Sequence, residues 1–123
     1  MREQIRHLRP QAEYYFVEGC HINELSNTPD DAAVSIARAR VAPGVATRWH
    51  RLRDTVERYV ILSGKGQVEV GDLPAEEVGP GAVVVIPPLC RQRITNVGGE
   101  DLVFLAICSP RFRPDAYEDV DSL

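Results

Sequence analysis

Short apolar runs broken by Gly, Pro and Asn recur along the whole chain. On a strand, side chains two apart share a face, so runs of this length with an alternating pattern predict half-buried strands. Candidate strands are residues 13–17, 20–25, 33–41, 57–62, 66–70, 83–86, 91–96 and 102–108. Asn27-Thr28-Pro29-Asp30-Asp31 reads as a turn, because Asn, Pro and Asp each supply local turn chemistry. Ser63-Gly64-Lys65 is predicted to close a hairpin between 57–62 and 66–70, and Val97-Gly98-Gly99-Glu100 is another predicted turn. In 33–41, Arg38 and Arg40 alternate with Ala37, Ala39 and Val41, which gives one basic face and one small apolar face. No segment of a dozen residues follows the helical period. The best helical candidate is the short stretch 114–118. Strands at short, regular intervals with turn signals between them predict an all-β sandwich or barrel.

Composition narrows the classes. The chain has 123 residues, 44% of them apolar, enough for one domain with a real core; the expected domain is 1–123, with its core at about 13–110. The first ten and last six residues are polar and are expected to be loosely ordered. Formal charge is −4 with both signs dispersed, so no basic footprint for nucleic acid is present. No apolar run approaches the roughly 20 residues of a membrane span. The charged opening Met1-Arg2-Glu3-Gln4-Ile5-Arg6 has no apolar segment behind it that would make a secretory signal. Cys20, Cys90 and Cys108 are odd in number and widely spaced, which predicts reduced thiols and a cytoplasmic protein.

The informative segment runs from Pro43-Gly44 to Ser63-Gly64. With its Gly, His, Glu and Gly at Gly44, His50, Glu57 and Gly64, it resembles the first cupin motif, which carries a His-x-His pair, then a Glu, then a Gly. Leu52 stands where the second His of the pair belongs. Residues 87–96 resemble the second cupin motif: Pro87 and Asn96 hold the frame, Leu89 replaces the Gly, and Gln92 replaces the His. Gly79-Pro80-Gly81 falls where the family places a turn. The chain is thus similar to small single-domain cupins of the RmlC-like jelly-roll superfamily, cupin 2 conserved barrel type. The resemblance implies an all-β double-stranded β-helix, a jelly-roll barrel of two antiparallel sheets.

In cupins the two motif-1 His, the Glu and the motif-2 His hold one divalent metal. Carried over position by position, the resemblance implies a degraded metal site of His50, Glu57 and Gln92, with Leu52 lining the same cavity. Zn, Ni, Mn, Fe and Co are all compatible with imidazole, carboxylate and amide oxygen. The same three groups could instead satisfy one another by hydrogen bonds with no metal. Glu57 and Tyr59 are the candidate catalytic groups; Arg48 and Leu52 are the candidate substrate contacts. Arg48 would reach the barrel mouth, and Tyr59 would either donate its hydroxyl or pack as a core aromatic. Trp49, of opposite parity to His50, is expected outside the barrel. The expected function is binding of, or action on, a small organic molecule, with isomerase-, cyclase- or oxygenase-like chemistry. A metal-free binding or sensing module is the alternative. A homodimer is expected, with the apolar run Tyr14-Tyr15-Phe16-Val17 as a candidate for edge pairing or swapping.

Overall fold

Alternation along the chain resolves, among the described residues, into eleven strands in two antiparallel sheets. The computed structural model describes residues 1–121. The strands are β1 (Tyr14–Phe16), β2 (Cys20–Ser26), β3 (Ser35–Val41), β4 (His50–Leu52), β5 (Val56–Ser63), β6 (Gly66–Val70), β7 (Glu76–Val78), β8 (Val83–Ile86), β9 (Gln92–Asn96), β10 (Leu102–Ser109) and β11 (Tyr117–Asp119). One sheet runs β1-β2-β3-β10-β5-β8 and the other β11-β4-β9-β6-β7. The expected all-β jelly roll is therefore observed. Glu57, Tyr59 and Ile61 of β5 are buried while Arg58, Val60 and Leu62 between them are not, the period of two expected of a strand with one face in a core. Ile61, Ile86, Ile94, Leu102 and Phe104 form the apolar filling between the sheets.

Two connections differ from expectation. Ser63-Gly64-Lys65 does not close a hairpin: β5 pairs with β10 and β8, whereas β6 pairs with β9 and β7, so the turn carries the chain from one sheet to the other. Gly64 is needed there. Its φ is +88°, and a Cβ would stand 2.7 Å from the Asp101 carbonyl oxygen and 2.8 Å from Leu102 Cα. The turn at 97–100 likewise leads from β9 in one sheet to β10 in the other. The helical candidate at 114–118 is half a helix: Pro114–Ala116 make one 3-10 turn, and the chain then extends into β11 against β4. Two more single turns, Pro10–Ala12 and Pro29–Asp31, complete the helical content among the described residues. Residues 1–9 are exposed and without regular structure, as their polarity predicts, but the C-terminal stretch is drawn into the sheet. Residues 122 and 123 lie outside the described residues.

Candidate functional site

Cross-strand register assembles the site. His50 on β4 is paired directly with Gln92 on β9, and Cys108 on β10 with Glu57 on β5. Each strand aims these side chains between the sheets, so one pair faces the other. His50, Gln92 and Glu57 are 2%, 1% and 8% exposed. Leu52 and Tyr59 are buried beside them, and Leu52, His50, Glu57 and Tyr59 line one cavity of about 40 Å³.

The hydrogen bonds fix who donates to whom. The Tyr59 hydroxyl donates to Gln92 Oε1 at 2.6 Å, and Gln92 Nε2 donates to Glu57 Oε1 at 2.8 Å. Cys108 Sγ lies 3.6 Å from Glu57 Oε2. Burial pushes the Glu57 carboxyl above its ordinary range, and the neighbouring negative charge of Glu18 pushes it further, against the smaller opposing effects of His50, Gln92 and Cys108. Because Oε1 accepts from the amide, the proton of the neutral acid belongs on Oε2. Burial also raises the Tyr59 phenol well above its usual range, so it remains a donor.

A second cluster meets the first at His50. Its Nδ1 lies 2.7 Å from the Arg48 carbonyl oxygen, which can only accept, so Nδ1 carries a proton. Nε2 lies 3.0 Å from Glu18 Oε2. Two lone pairs at that distance would repel, so the pair shares a proton. Cys20 Sγ approaches Glu18 Oε1 at 3.1 Å, and burial followed by the Glu18 charge pushes its thiol far up. The Tyr117 ring stacks on His50 at 5.3 Å.

Glu18 is the residue that sequence reasoning missed. It sits in the tight connection between β1 and β2, next to Gly19, whose φ is +102°. Its carbonyl accepts from the Arg48 amide at 2.7 Å, which pins the connection against the approach to β4. Nothing in the motif frame points to it; the signal available was a lone Glu beside a Gly and a buried Cys. Tyr117, on a strand read as helix, was missed for a related reason.

Of the candidates, His50, Leu52, Glu57, Tyr59 and Gln92 come together. Arg48 does not join them. It is half exposed, with Nε 2.5 Å from Asp119 Oδ2 and Nη2 3.5 Å from Asp121 Oδ2, and it does not line the cavity. Trp49 lies on the outer face as its parity predicts, with the guanidinium carbons of Arg91 and Arg93 at 4.0 and 4.5 Å from its ring centre. Arg40, on the basic face of β3, pairs with Glu13 and Asp101.

The donor set can be tested for the metal that the cupin pattern implies. His50 fits once the proton it shares with Glu18 is displaced: Nδ1–H on a carbonyl then leaves Nε2 as the donor atom, the usual arrangement of a ligating imidazole. Gln92 does not fit, because its oxygen is engaged by Tyr59 and it presents NH₂ to Glu57. Both Glu57 oxygens are also occupied within the cluster. Among the described residues no three His, Cys, Asp or Glu side chains gather as a ligand set. Nor is any helix among them long and apolar enough to cross a membrane.

Comparison with known proteins places this geometry. A glucose-6-phosphate isomerase of Pyrococcus furiosus is 41% identical over 63 residues, covering 48% of this chain but only 33% of that protein. The chain thus matches about a third of the length of that isomerase. An uncharacterized protein of Methanocaldococcus jannaschii is 32% identical over 112 residues, covering 89% of this chain and 86% of that one. Among solved structures, a variant of the Streptomyces protein PAC13 with uridine has a TM-score of 0.78 at 16% identity, covering 98% of this chain and 93% of that chain; Pac13 is described as a nucleoside dehydratase. KdgF from Halomonas has a TM-score of 0.76, also at 16% identity, covering 91% of this chain and 98% of that chain. The model of the Cupin domain matches residues 37–108, and the chain belongs to the cupin family.

Proposed function

We propose that this cupin acts on a small organic molecule by proton transfer between two buried acid–base groups, without a resident transition metal. The observation that carries the reading is the Tyr59–Gln92–Glu57 chain. It commits the one candidate amide ligand to hydrogen bonding on the cavity wall, while burial and the Glu18 charge push the Glu57 carboxyl toward its neutral form. Across the cavity stands the Glu18–His50 pair, with a shared proton. A buried carboxyl and a carboxylate–imidazole pair on one cavity suit an acid and a base.

In the proposed step the Glu18–His50 pair takes a proton from a carbon next to a carbonyl, and Glu57 gives its Oε2 proton to the carbonyl oxygen. A neutral enol forms. Return of the pair's proton to the former carbonyl carbon, with the proton of the neighbouring enediol hydroxyl passing to the Glu57 carboxylate, gives an isomer. Delivery of the pair's proton to a hydroxyl that leaves as water, with the enol O–H proton passing to Glu57, gives a dehydrated product. Isomerisation is named for the Pyrococcus relative and dehydration for Pac13, which supports this class of chemistry without fixing the substrate. The expected divalent metal site on His50, Glu57 and Gln92 would require the amide to reverse, turning NH₂ onto the Tyr59 oxygen and breaking that chain.

Incubation with hydroxyacetone, dihydroxyacetone and aminoacetone in deuterated water, followed by proton NMR, tests the reading. Loss of signal at the carbon next to the carbonyl, unchanged by EDTA and reduced about a hundredfold or more in Glu57→Gln and His50→Ala, is the expected result. Exchange that depends on added Zn, Ni or Mn would favour the metal site. No exchange with any of the three would leave a binding module.

We also propose that a second copy covers the outward face of β5, β8 and β10. Val83 and Val85 are 57% and 58% exposed there, beside Val60 and Leu105, on a sheet whose edges β1 and β8 are unpaired. Size-exclusion chromatography with light scattering should show a dimer that Val83→Glu dissociates; a monomer at all concentrations would overturn this. Three free thiols fit the reducing cytoplasm, which we propose as its compartment.

A further inference from the structure

The cavity carries a charge pattern that proton transfer alone does not use. Glu18 and Glu24 line it beside the acid Glu57, and among the described residues no lysine or arginine does. The entrance is aromatic. Phe16 meets Tyr117 edge-to-face at 5.2 Å and Phe112 at 6.2 Å, and the Tyr14 hydroxyl donates to Glu24 Oε1 at 3.3 Å. The Tyr117 hydroxyl oxygen, in the cavity wall, is buried with no hydrogen-bond partner among the described residues. An orphaned buried hydroxyl is costly, so it marks a place where a hydrogen-bonding partner belongs.

The arginines stand outside, and the one basic side chain on the cavity wall among the described residues, His50, is already paired with Glu18. The outer vestibule shares Tyr14, Phe16, Glu24 and Phe112 with the cavity and adds Arg111 and Arg113. Arg111 Nη1 is held by Asn27 Oδ1 at 2.9 Å, and Arg113 Nε is 3.5 Å from Asp115 Oδ1. Charge therefore separates along the entry path, negative within and positive at the rim. A phosphate or carboxylate that reached the interior would meet the Glu18, Glu24 and Glu57 carboxyl groups, with His50 already engaged by Glu18 and the Arg48 carbonyl. A cation would meet carboxylates for its charge and ring faces for its quadrupolar attraction.

Size agrees with that chemistry. A cavity of about 40 Å³, measured to the centres of the waters that would fill it, becomes a void roughly 3.5 Å in radius once a water's radius is added. That is the dimension of an ammonium nitrogen bearing small alkyl groups.

We propose that the cavity binds a small organic cation, an ammonium compound, with its charged nitrogen held between Glu18 and Glu24 and the rings of Phe16, Phe112 and Tyr117. The inference concerns the same cavity as the proton-transfer reading but rests on binding alone. A sugar phosphate such as the isomerase name suggests is the wrong charge for it.

Calorimetric titration of the full chain with three probes of nearly equal shape tests the proposal. These are choline, neohexanol (in which carbon replaces the nitrogen) and the tert-butylacetate anion. Choline should bind saturably and about tenfold or more tighter than neohexanol, the size of difference a desolvated cation–π and charge contact supplies, and tert-butylacetate should not bind. Glu24→Gln and Phe112→Leu should each weaken choline about five- to tenfold and leave neohexanol unchanged, with the near-ultraviolet circular dichroism confirming that the variants fold. Neohexanol binding as tightly as choline, tert-butylacetate binding at all, or no binding of choline would overturn the proposal. Any of these would leave the deuterium-exchange result standing, so the two readings fail separately.

Discussion

The two ends of the barrel interior are built from the same strands and do different work. Toward one end Ile61, Ile94 and Leu102 are almost wholly buried and pack against each other's neighbours with no polar atom among their side chains. Toward the other, two residues or so further along β5 and β9, the inward positions are Glu57, Tyr59 and Gln92, and a cavity opens. Burial is equal at both ends, so burial does not distinguish stability from function here. What differs is satisfaction. At the apolar end dispersion and transfer energy are complete in the protein itself. At the polar end the buried side-chain groups among the described residues are satisfied by neighbours, except the hydroxyl of Tyr117, a residue of the cavity lining.

Substitution should separate the two ends. The largest effect is expected at the apolar end: Ile94→Ala, which empties a fully buried site, should cost about 2–5 kcal/mol in denaturant unfolding. The ligand cavity should be left with unchanged choline affinity per folded molecule. A loss much below that range would mean that this end collapses around the gap.

At the polar end, Gln92→Ala strips Glu57 and Tyr59 of their common partner while both remain buried, an expected cost of about 1–3 kcal/mol. Gln92→His is the instructive contrast, because it restores the family's imidazole and should create metal affinity that the native chain lacks.

Glu57→Gln should be read against pH. The folded protein holds the Glu57 proton more tightly than the unfolded chain, whose ordinary value is 4.5. A raised value contributes stability that is fully present below about 4.5 and is lost as pH rises through the folded value. Glutamine mimics the neutral acid and does not titrate. Chemical unfolding of the two proteins from acid to alkaline pH should therefore show the variant gaining on the native chain as pH rises. A difference that is flat, or that moves the other way, would mean that Glu57 is ionised and paired.

The smallest effect belongs to a residue outside both ends. Arg48→Ala removes an exposed, solvent-screened ion pair with Asp119 and Asp121 and should leave the unfolding midpoint essentially unchanged, with choline affinity unaltered. A large loss of affinity would return Arg48 to the ligand.

Much of this was legible in the sequence, and the failures have physical causes. The alternation in 33–41 and 57–62 located β3 and β5 because long strands with one solvent face repeat their pattern often enough to be seen. The spacing of Gly44, His50, Glu57, Gly64 and Gln92 put five side chains in the interior or at the required turns. β4 gave no apolar run, since His50-Arg51-Leu52 is three residues long among arginines and is held by its pairing with β9 and β11; only the parity of the motif pointed to it. Glu18 was invisible as a site residue because a turn far away in sequence brings it to His50. Ser63-Gly64-Lys65 looked like a hairpin because the sequence of a tight connection does not record which sheet the next strand joins. The amide orientation of Gln92 could not be read from spacing at all; it follows from Tyr59 having the same parity as Glu57, which places its hydroxyl on the far side of the amide.

The central claim is that the Tyr59–Gln92–Glu57 chain makes this an acid–base site in place of a metal centre. Calorimetric titration of the metal-stripped native protein with Zn, Ni and Mn, alongside Gln92→His, tests it most directly. The account predicts no stoichiometric binding to the native chain and measurable binding to Gln92→His. One-to-one binding to the native chain that disappears in His50→Ala would contradict it.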